Sequence, residues 1–289
     1  QLEDLDVLLT ESTYGNRLHD EIADVEVHLT RVISEAADRK GKIYVPAFAM
    51  GRTQEILYIL KDLMGDKKIP TMPIFVDSPL AQSATEIFSI HPECFDADLN
   101  ELLSEGGHPF YDGEGIQFTQ SVDESKALND FPGPAVIISA SGMCEFGRIR
   151  HHLANNVGDP NNLILIVGFM AQNTLGRKLV EGEKPIKIFG EEREIKDQIE
   201  IFNAFSVHDD QKGLLNFAAK SGEPKNVFLV HGELEAQETF KDELEKLDNL
   251  KKAEVFIPGP GEIYELQPDK QWKKSSQKNM ECEGLVCKI

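Results

Sequence analysis

The sequence predicts an α/β protein, on three observations. Short apolar runs with strand character alternate with amphipathic helical segments along most of the chain. Two histidines, His208 and His231, each close an apolar run, and between them Gln211 to Ser221 reads as one short helix with Leu214, Leu215, Phe217 and Ala218 inward. That is a strand end, a crossover helix and a second strand end, and ligands of α/β sheets bind beyond carboxyl ends of strands. Finally, 289 residues with 40% hydrophobic and 28% charged content describe a globular chain long enough for one large domain or two ordinary ones.

The elements follow in order. Leu5 to Thr10 is a buried strand with Glu11-Ser12-Thr13-Tyr14-Gly15 as its exit loop. Asp20 to Ala37 has Ile22, Val25, Leu29, Val32 and Ile33 near helical spacing. Lys42 to Val45 is a strand, Pro46 to Gly51 a loop, and Arg52 to Met64 a helix. Ile74 to Val76 is a strand, and Asp77-Ser78-Pro79 a turn that starts a helix. His91 to Gly115 is expected to be an irregular, variable region. Ala135 to Ile138 is a strand, Arg148 to Leu153 a short helix, Leu163 to Val167 a strand and Asn173 to Val180 a helix. Ile186 to Ile201 is expected to form a β-meander turning at Gly190 and Asp197. Val227 to Val230 is the strand before His231. A helix at Leu234 to Leu247 and strands at Glu254 to Ile257 and Glu262 to Glu265 complete the pattern.

Composition narrows the function. A net charge of −20 argues against a simple nucleic-acid binder with a basic face, but leaves room for an enzyme that grips phosphate through metals and a few arginines. No apolar run approaches the ~20 residues that span a bilayer. Cys94, Cys144, Cys282 and Cys287 are scattered, and no leader precedes the first strand, so reduced thiols in a cytoplasmic protein are expected. The chain opens on Gln1 and enters a strand almost at once, which is expected of the continuation of something upstream.

Glu11 directly follows a buried strand, where a carboxylate needs a partner: it either orients a catalytic imidazole or is a solvated loop residue. Ser139-Ala140-Ser141-Gly142 follows a strand but lacks G-x-S-x-G, which disfavours a serine hydrolase. Gly142 to Gly147 has phosphate-loop spacing, yet Arg148-Ile149 replaces the Lys-Ser/Thr pair, so a nucleotide P-loop fails. Either a plain tight turn or an anion-binding helix start remains, with Arg148 and His152 adding charge. Arg52 and Arg177 open or follow further helix starts and are candidates for holding a phosphate chain. His151-His152 is expected to be a helix-surface pair, and His19, His28, His91 and His108 have no assigned role. His208 and His231 alone fall short of a catalytic zinc site, which takes three protein ligands.

Together these segments resemble the β-CASP branch of the metallo-β-lactamase superfamily, in its bacterial and archaeal form related to the mRNA 3′-end-processing endonuclease. The resemblance rests on Glu11-Ser12-Thr13-Tyr14-Gly15, Pro46 to Glu55, Asp77-Ser78-Pro79-Leu80-Ala81, Ser141-Gly142-Met143 with Gly147-Arg148, Phe205-Ser206-Val207-His208 and Val230-His231-Gly232-Glu233. It runs from about Asp4 to Glu265. It implies a β-CASP α/β domain, a parallel sheet flanked by helices, joined to part of a metallo-β-lactamase αββα sandwich. The expected division is 1–19 with the first strand and motif A, 20–184 as the β-CASP domain, 185–268 as the returning strands and helices, and 269–289 as a mobile polar tail.

The resemblance also implies chemistry. Glu11 matches motif A and His208 motif B, the catalytic pair in which the carboxylate orients the histidine that protonates the leaving oxygen. His231 matches motif C, a ligand to one of two zinc ions. Arg52, Ser141, Gly142, Arg148 and Arg177 are the candidates for phosphate or RNA binding. The implied activity is zinc-dependent hydrolysis of RNA phosphodiester bonds; the alternative is a non-catalytic β-CASP scaffold or RNA-binding subunit. The family's H-x-H-x-D-H zinc motif precedes motif A and is absent here, so this chain alone is expected to be inactive, to hold little zinc and to leave apolar surface on its flanking strands. RNA is the expected partner, no membrane is involved, and a homodimer and the missing N-terminal metallo-β-lactamase half are the protein partners considered.

Overall fold

The computed structural model describes residues 5–20, 22–110, 115–266 and 272–275, and the chain divides into two compact units. The larger unit is His19–Val207; the smaller joins Gln1–Leu18 to His208–Ile289. Helices and parallel strands make up both, as the alternating pattern predicts.

The larger unit is built on β2 (Lys42–Pro46), β3 (Ile74–Asp77), β4 (Ile116–Phe118), β5 (Ala135–Ser139), β6 (Leu163–Ile166) and β9 (Gln198–Ile201). They form one parallel sheet in the order β4-β3-β5-β2-β6-β9. Every residue of β2, β3, β5 and β6 is buried, which explains why these strands are continuous apolar runs: both faces are covered. Alternate residues separate the two cores. Ile43, Val45, Val76, Val136, Ile138 and Leu165 pack on one face against α1 (Ile22–Asp38) and α2 (Arg52–Gly65). Tyr44, Phe75, Ile137, Ile164 and Ile166 pack on the other against α5 (Val122–Asp130), α6 (Arg148–Asn156) and α7 (Leu175–Val180).

Three expectations change here. The stretch His91 to Gly115 is less irregular than its composition suggests, with a 3₁₀ turn at Pro92–Cys94 and α4 (Ala97–Ser104), capped by Asp96; residues 111–114 lie outside the described residues. The helix at Pro79–Ser89, α3, is capped by Ser78 as its Ser-Pro start predicts. The expected meander does not form. β7 (Ile186–Ile188) and β8 (Glu191–Arg193) make an antiparallel hairpin, but β9 leaves it to pair in parallel with β6. Ile186, Ile188 and Ile195 bury in the second core, so the compact unit extends to Val207 rather than ending at 184.

In the smaller unit, β1 (Val7–Glu11), β10 (Asn226–Val230) and β11 (Glu254–Phe256) form a parallel sheet in the order β1-β10-β11. Leu8, Val227, Leu229 and Val255 pack on α8 (Gln211–Ala219) and α9 (Leu234–Leu244) through Leu214, Ala218, Phe240 and Leu244. Leu9, on the opposite face of β1, is 64% exposed. Of the polar tail expected to be mobile, 272–275 is described: it is β13 (Trp272–Ser275), paired antiparallel with β12 (Ile263–Leu266). Tyr264 of β12 meets Phe228 and Phe256 edge-on, tying that hairpin to the apolar sheet. The rest of 269–289 lies outside the described residues. No helix among the described residues is long and apolar enough to cross a membrane.

Candidate functional site

The exits of two neighbouring strands build the site in the smaller unit. β1 and β10 pair in register to Glu11 and Val230, so their exit loops begin side by side. Ser12 Oγ donates to the Val230 carbonyl at 2.8 Å. Gly232 permits the close approach, because a Cβ there would lie 2.5 Å from Ser12 Oγ and 2.7 Å from its carbonyl oxygen. His231 itself turns in the left-handed region at φ 52°, a conformation that costs a non-glycine residue energy and recurs at functional sites.

His208 arrives from the other direction. Asp210 caps α8, its Oδ1 accepting from Gly213 N at 2.8 Å. Gln211 then fixes that helix start to the β1 exit: its backbone N donates to Arg17 O at 3.0 Å and its side-chain Nε2 to Gly15 O at 2.8 Å. These bonds place His208 Nδ1 3.1 Å from Glu11 Oε1. The rings of His208 and His231 stack at 4.8 Å between centroids, 26° apart.

Thr13 is the hub that sequence reasoning quoted but did not assign. Its backbone N donates to Glu11 Oε2 at 3.0 Å, and its Oγ1 lies 3.3 Å from His208 Nδ1 and 3.0 Å from His231 Nδ1. The same hydroxyl donates to His231 O at 2.9 Å. Its position two residues past Glu11 is the only signal the sequence offers. Burial pushes the Glu11 carboxyl up, but the hydrogen bonds from Thr13 and the His208 imidazole outweigh it, so the carboxyl sits below its ordinary range. By facing Nδ1, the Glu11 carboxylate fixes the orientation of the His208 ring.

Glu11, His208 and His231 bring ligand atoms within 4.8 Å of one another, the one such group of metal-binding side chains among the described residues. Two imidazoles and a carboxylate are donors that zinc takes. Glu11 and His208 are hydrogen-bonded to each other, which leaves His231 as the available ligand. The residues therefore fit zinc as one part of a larger ligand set.

The five phosphate or RNA candidates all lie in the larger unit, past carboxyl ends of strands in its sheet. Arg52 opens α2 after β2; Ser141, Gly142 and Arg148 follow β5; Arg177 sits in α7 after β6. β5 inserts between β2 and β3 before the chain moves to β6, so the loops after β2 and β5 flank the point where strand order reverses, the usual ligand crevice. Arg52 is 8% exposed and paired with Glu55. Arg177 donates to Glu181 Oε1 at 2.6 Å. Ser141 Oγ accepts from Phe146 N at 3.3 Å, and a Cβ on Gly142 would press on the Phe48 ring at 3.0 Å.

Arg148 is partly buried, donating to Asp77 Oδ1 at 2.7 Å and to the carbonyls of Thr119 and Gln120. Asp77 Oδ2 takes His152 Nε2 and Ser125 Oγ, each at 2.6 Å. His152 is 1% exposed, so the expected surface pair His151-His152 is overturned: adjacent helical residues point about 100° apart, and only His151 faces out, against Phe189.

Comparison with known proteins adds identity to this geometry. A Beta-Casp domain model matches residues 53–179, and a model for a Zn-dependent metallo-hydrolase RNA specificity domain matches 192–258. The chain is 34% identical over 230 residues to Ribonuclease TTHA0252 of Thermus thermophilus, covering 80% of this chain and 52% of that protein. It is 31% identical over 267 residues to Transcription termination factor FttA of Methanocaldococcus jannaschii, covering 89% and 41%. It is 29% identical over 258 residues to Integrator complex subunit 11 of Gallus gallus, again covering 89% and 41%. The chain thus spans about half the length of these relatives or less. With the two domain models in sequence order, and relatives matched across four fifths of the chain or more, the chain belongs to the β-CASP family of the metallo-β-lactamase superfamily.

Proposed function

We propose that this chain is part of a zinc-dependent ribonuclease that hydrolyses RNA phosphodiester bonds, and that Glu11, His208 and His231 are its share of the active site. The observation that carries the reading is the 3.1 Å pair between Glu11, at the end of β1, and His208, just ahead of α8, with His231 stacked beside it. Ribonuclease is also the printed function of the Thermus relative.

Each residue has one task. Glu11 accepts the His208 Nδ1–H and orients the ring, so that in its doubly protonated form the Nε2–H is the proton given to the leaving oxygen. Thr13 holds the carboxylate and both imidazoles in place. His231 would hold zinc together with ligands from a joined metallo-β-lactamase segment. When bound, zinc supplies Lewis-acid stabilisation of charge on the phosphate and activates water. Ser141 and Gly142, in the loop after β5, steer the RNA backbone with Arg52 and Arg177 in the first turns of the helices after β2 and β6, while Arg148 fastens the loop after β5 to Asp77.

Zinc content and cleavage test this together. The chain alone, dialysed against trace zinc, is expected to retain well under one ion and to leave RNA intact. Joined to a metallo-β-lactamase segment bearing H-x-H-x-D-H, it is expected to hold two ions and cut RNA. Two ions held tightly by the isolated chain, or a joined protein that binds zinc and RNA without cutting, would overturn the assignment. The second of these results is what the scaffold alternative expects.

A further inference from the structure

Within the larger unit, α2, α3, the 3₁₀ turn Pro92–Cys94 and α4 enclose a cavity of about 370 Å³, a volume typical of small-ligand sites. One wall is a stripe of Gly51, Gln54, Glu55 and Tyr58, spaced i, i+3, i+4 and i+7 from the start of α2 and so sharing one face. Aromatic rings make much of the rest. Phe110 is 3% exposed, and Phe88 and Phe95 stand edge-on to it, with centroids 6.3 and 6.1 Å away and planes at 85° and 82°. The ribonuclease reading makes no use of this cavity.

Apart from the Tyr58 hydroxyl and the Cys94 thiol, the polar side chains of the lining have acceptors to offer and no donors to spare. Gln54 is 2% exposed, and its Nε2 donates to Thr85 Oγ1 at 2.8 Å, Ala49 O at 3.2 Å and Ala81 O at 3.5 Å. Thr85 spends its own proton on Ala81 O, so every neighbour of that nitrogen is an acceptor and the amide cannot be turned round. Gln54 Oε1 is left buried with no hydrogen-bond partner, a deficit that native structures rarely carry. The exposed rim adds two carboxylates. Arg52 answers Glu55, whereas Asp96 caps α4 through Leu99 N at 2.9 Å and has no cationic partner among the described residues.

We propose that this cavity takes a guanidinium group, presented as an arginine side chain by a basic polypeptide. A guanidinium is a planar, donor-only cation that stacks on aromatic faces and gives up its hydration readily, whereas an ammonium is compact and strongly hydrated. Its N–H groups supply the partner that Gln54 Oε1 lacks, its plane lies against the phenylalanine rings, and Asp96 answers its charge. The surroundings fit a polypeptide rather than a free small molecule. Ile87 and Ile90, on either side of Phe88, are 57% and 71% exposed, and Asp98 and Glu101 stand exposed on α4, in a chain of net charge −20.

Exposed Cys94, itself in the lining, reports on occupancy. In the full chain, alkylation of Cys94 by iodoacetamide is followed by peptide mass spectrometry against added glutathione as internal standard. Saturating acetyl-Gly-Arg-Gly-amide is expected to slow it about five-fold or more, and the citrulline peptide, of the same shape without the charge, to leave it unchanged. Asp96→Asn keeps a good helix cap and is expected to weaken the peptide's protection about ten-fold in affinity, as is Phe95→Leu. Absence of protection, equal protection by the citrulline peptide, or protection that Asp96→Asn leaves in place would overturn the guanidinium site. Protection by agmatine but not by the arginine peptide would overturn the polypeptide as its source. The readout needs neither RNA nor zinc, so failure here leaves the ribonuclease reading untouched.

Discussion

Each compact unit contains a carboxylate–imidazole pair, and the two pairs behave differently. Glu11–His208 in the smaller unit is 3.1 Å long, with side chains 28% and 32% exposed. Asp77–His152 in the larger unit is 2.6 Å long, with exposures of 0% and 1%. Both have hydroxyl neighbours. Asp77, however, also takes Arg148, Ser125 and Thr119, while His152 Nδ1 meets Asn129 Oδ1 at 3.1 Å. The buried pair has its lone pairs and ring nitrogens occupied, so it can only hold the loops after β3, β4 and β5 together. The open pair is about a third exposed, which is what the proposed proton transfer to a substrate requires. Exposure and the count of partners, not the pair itself, separate a fastening from a reactive centre.

The comparison is sharpened most by removing each imidazole or carboxylate in turn. In the joined, zinc-loaded protein, His208→Ala is expected to cut RNA cleavage by about 10²–10⁴-fold, with folding stability changed by less than about 1 kcal/mol, since a half-exposed pair contributes little. Unchanged cleavage would break the distinction. Asp77→Ala should do the reverse, costing the larger unit about 3–5 kcal/mol in urea unfolding, because Arg148 and His152 are left inside without their counter-charge.

Acid gives an intermediate effect. Burial pushes the Asp77 carboxyl up, but hydrogen bonds from His152, Ser125 and Thr119 overcome it and bring it down to about 2. A folded-state value below the unfolded one stabilises at higher pH, and that stabilisation is lost as pH falls from about 4 through 2. On the order of 2 kcal/mol is expected to disappear over that window in wild type and to be missing from Asp77→Asn. Loss of a single hydroxyl is comparable at one pair and smallest at the other. Ser125→Ala should cost about 1.5–3 kcal/mol, as a hydrogen bond to a buried charge, whereas Thr13→Val should cost under about 1 kcal/mol and show itself in cleavage. Equal stability losses at the two positions would show that the smaller unit's hub is as structural as the buried one.

Much of this was readable from residue order. The parallel strands declared themselves as apolar runs because burial on both faces leaves no polar alternation, and Glu11 and His231 stood out as polar residues at the ends of such runs; His208, expected at a third strand end, instead follows the 3₁₀ turn Asn203–Phe205, the strand having ended at Ile201. The capping box of Ser121 and Glu124 is a local signal in the sequence for the helix at Val122–Asp130. Long-range pairing was not available. Nothing near Ile186 to Ile201 says that β9 abandons its hairpin for β6, since strand partners are chosen by which edge can bury Ile186, Ile188 and Ile195.

Local chemistry in the chain set the fold class, the strand ends and the residues able to react, because periodicity and capping act within a few residues. Tertiary packing chose which carboxylate met which imidazole, turned His152 inward and His151 outward, and made Thr13 a hub. Those outcomes depend on groups brought together from positions as much as 218 residues apart, and on how much water the surrounding side chains exclude.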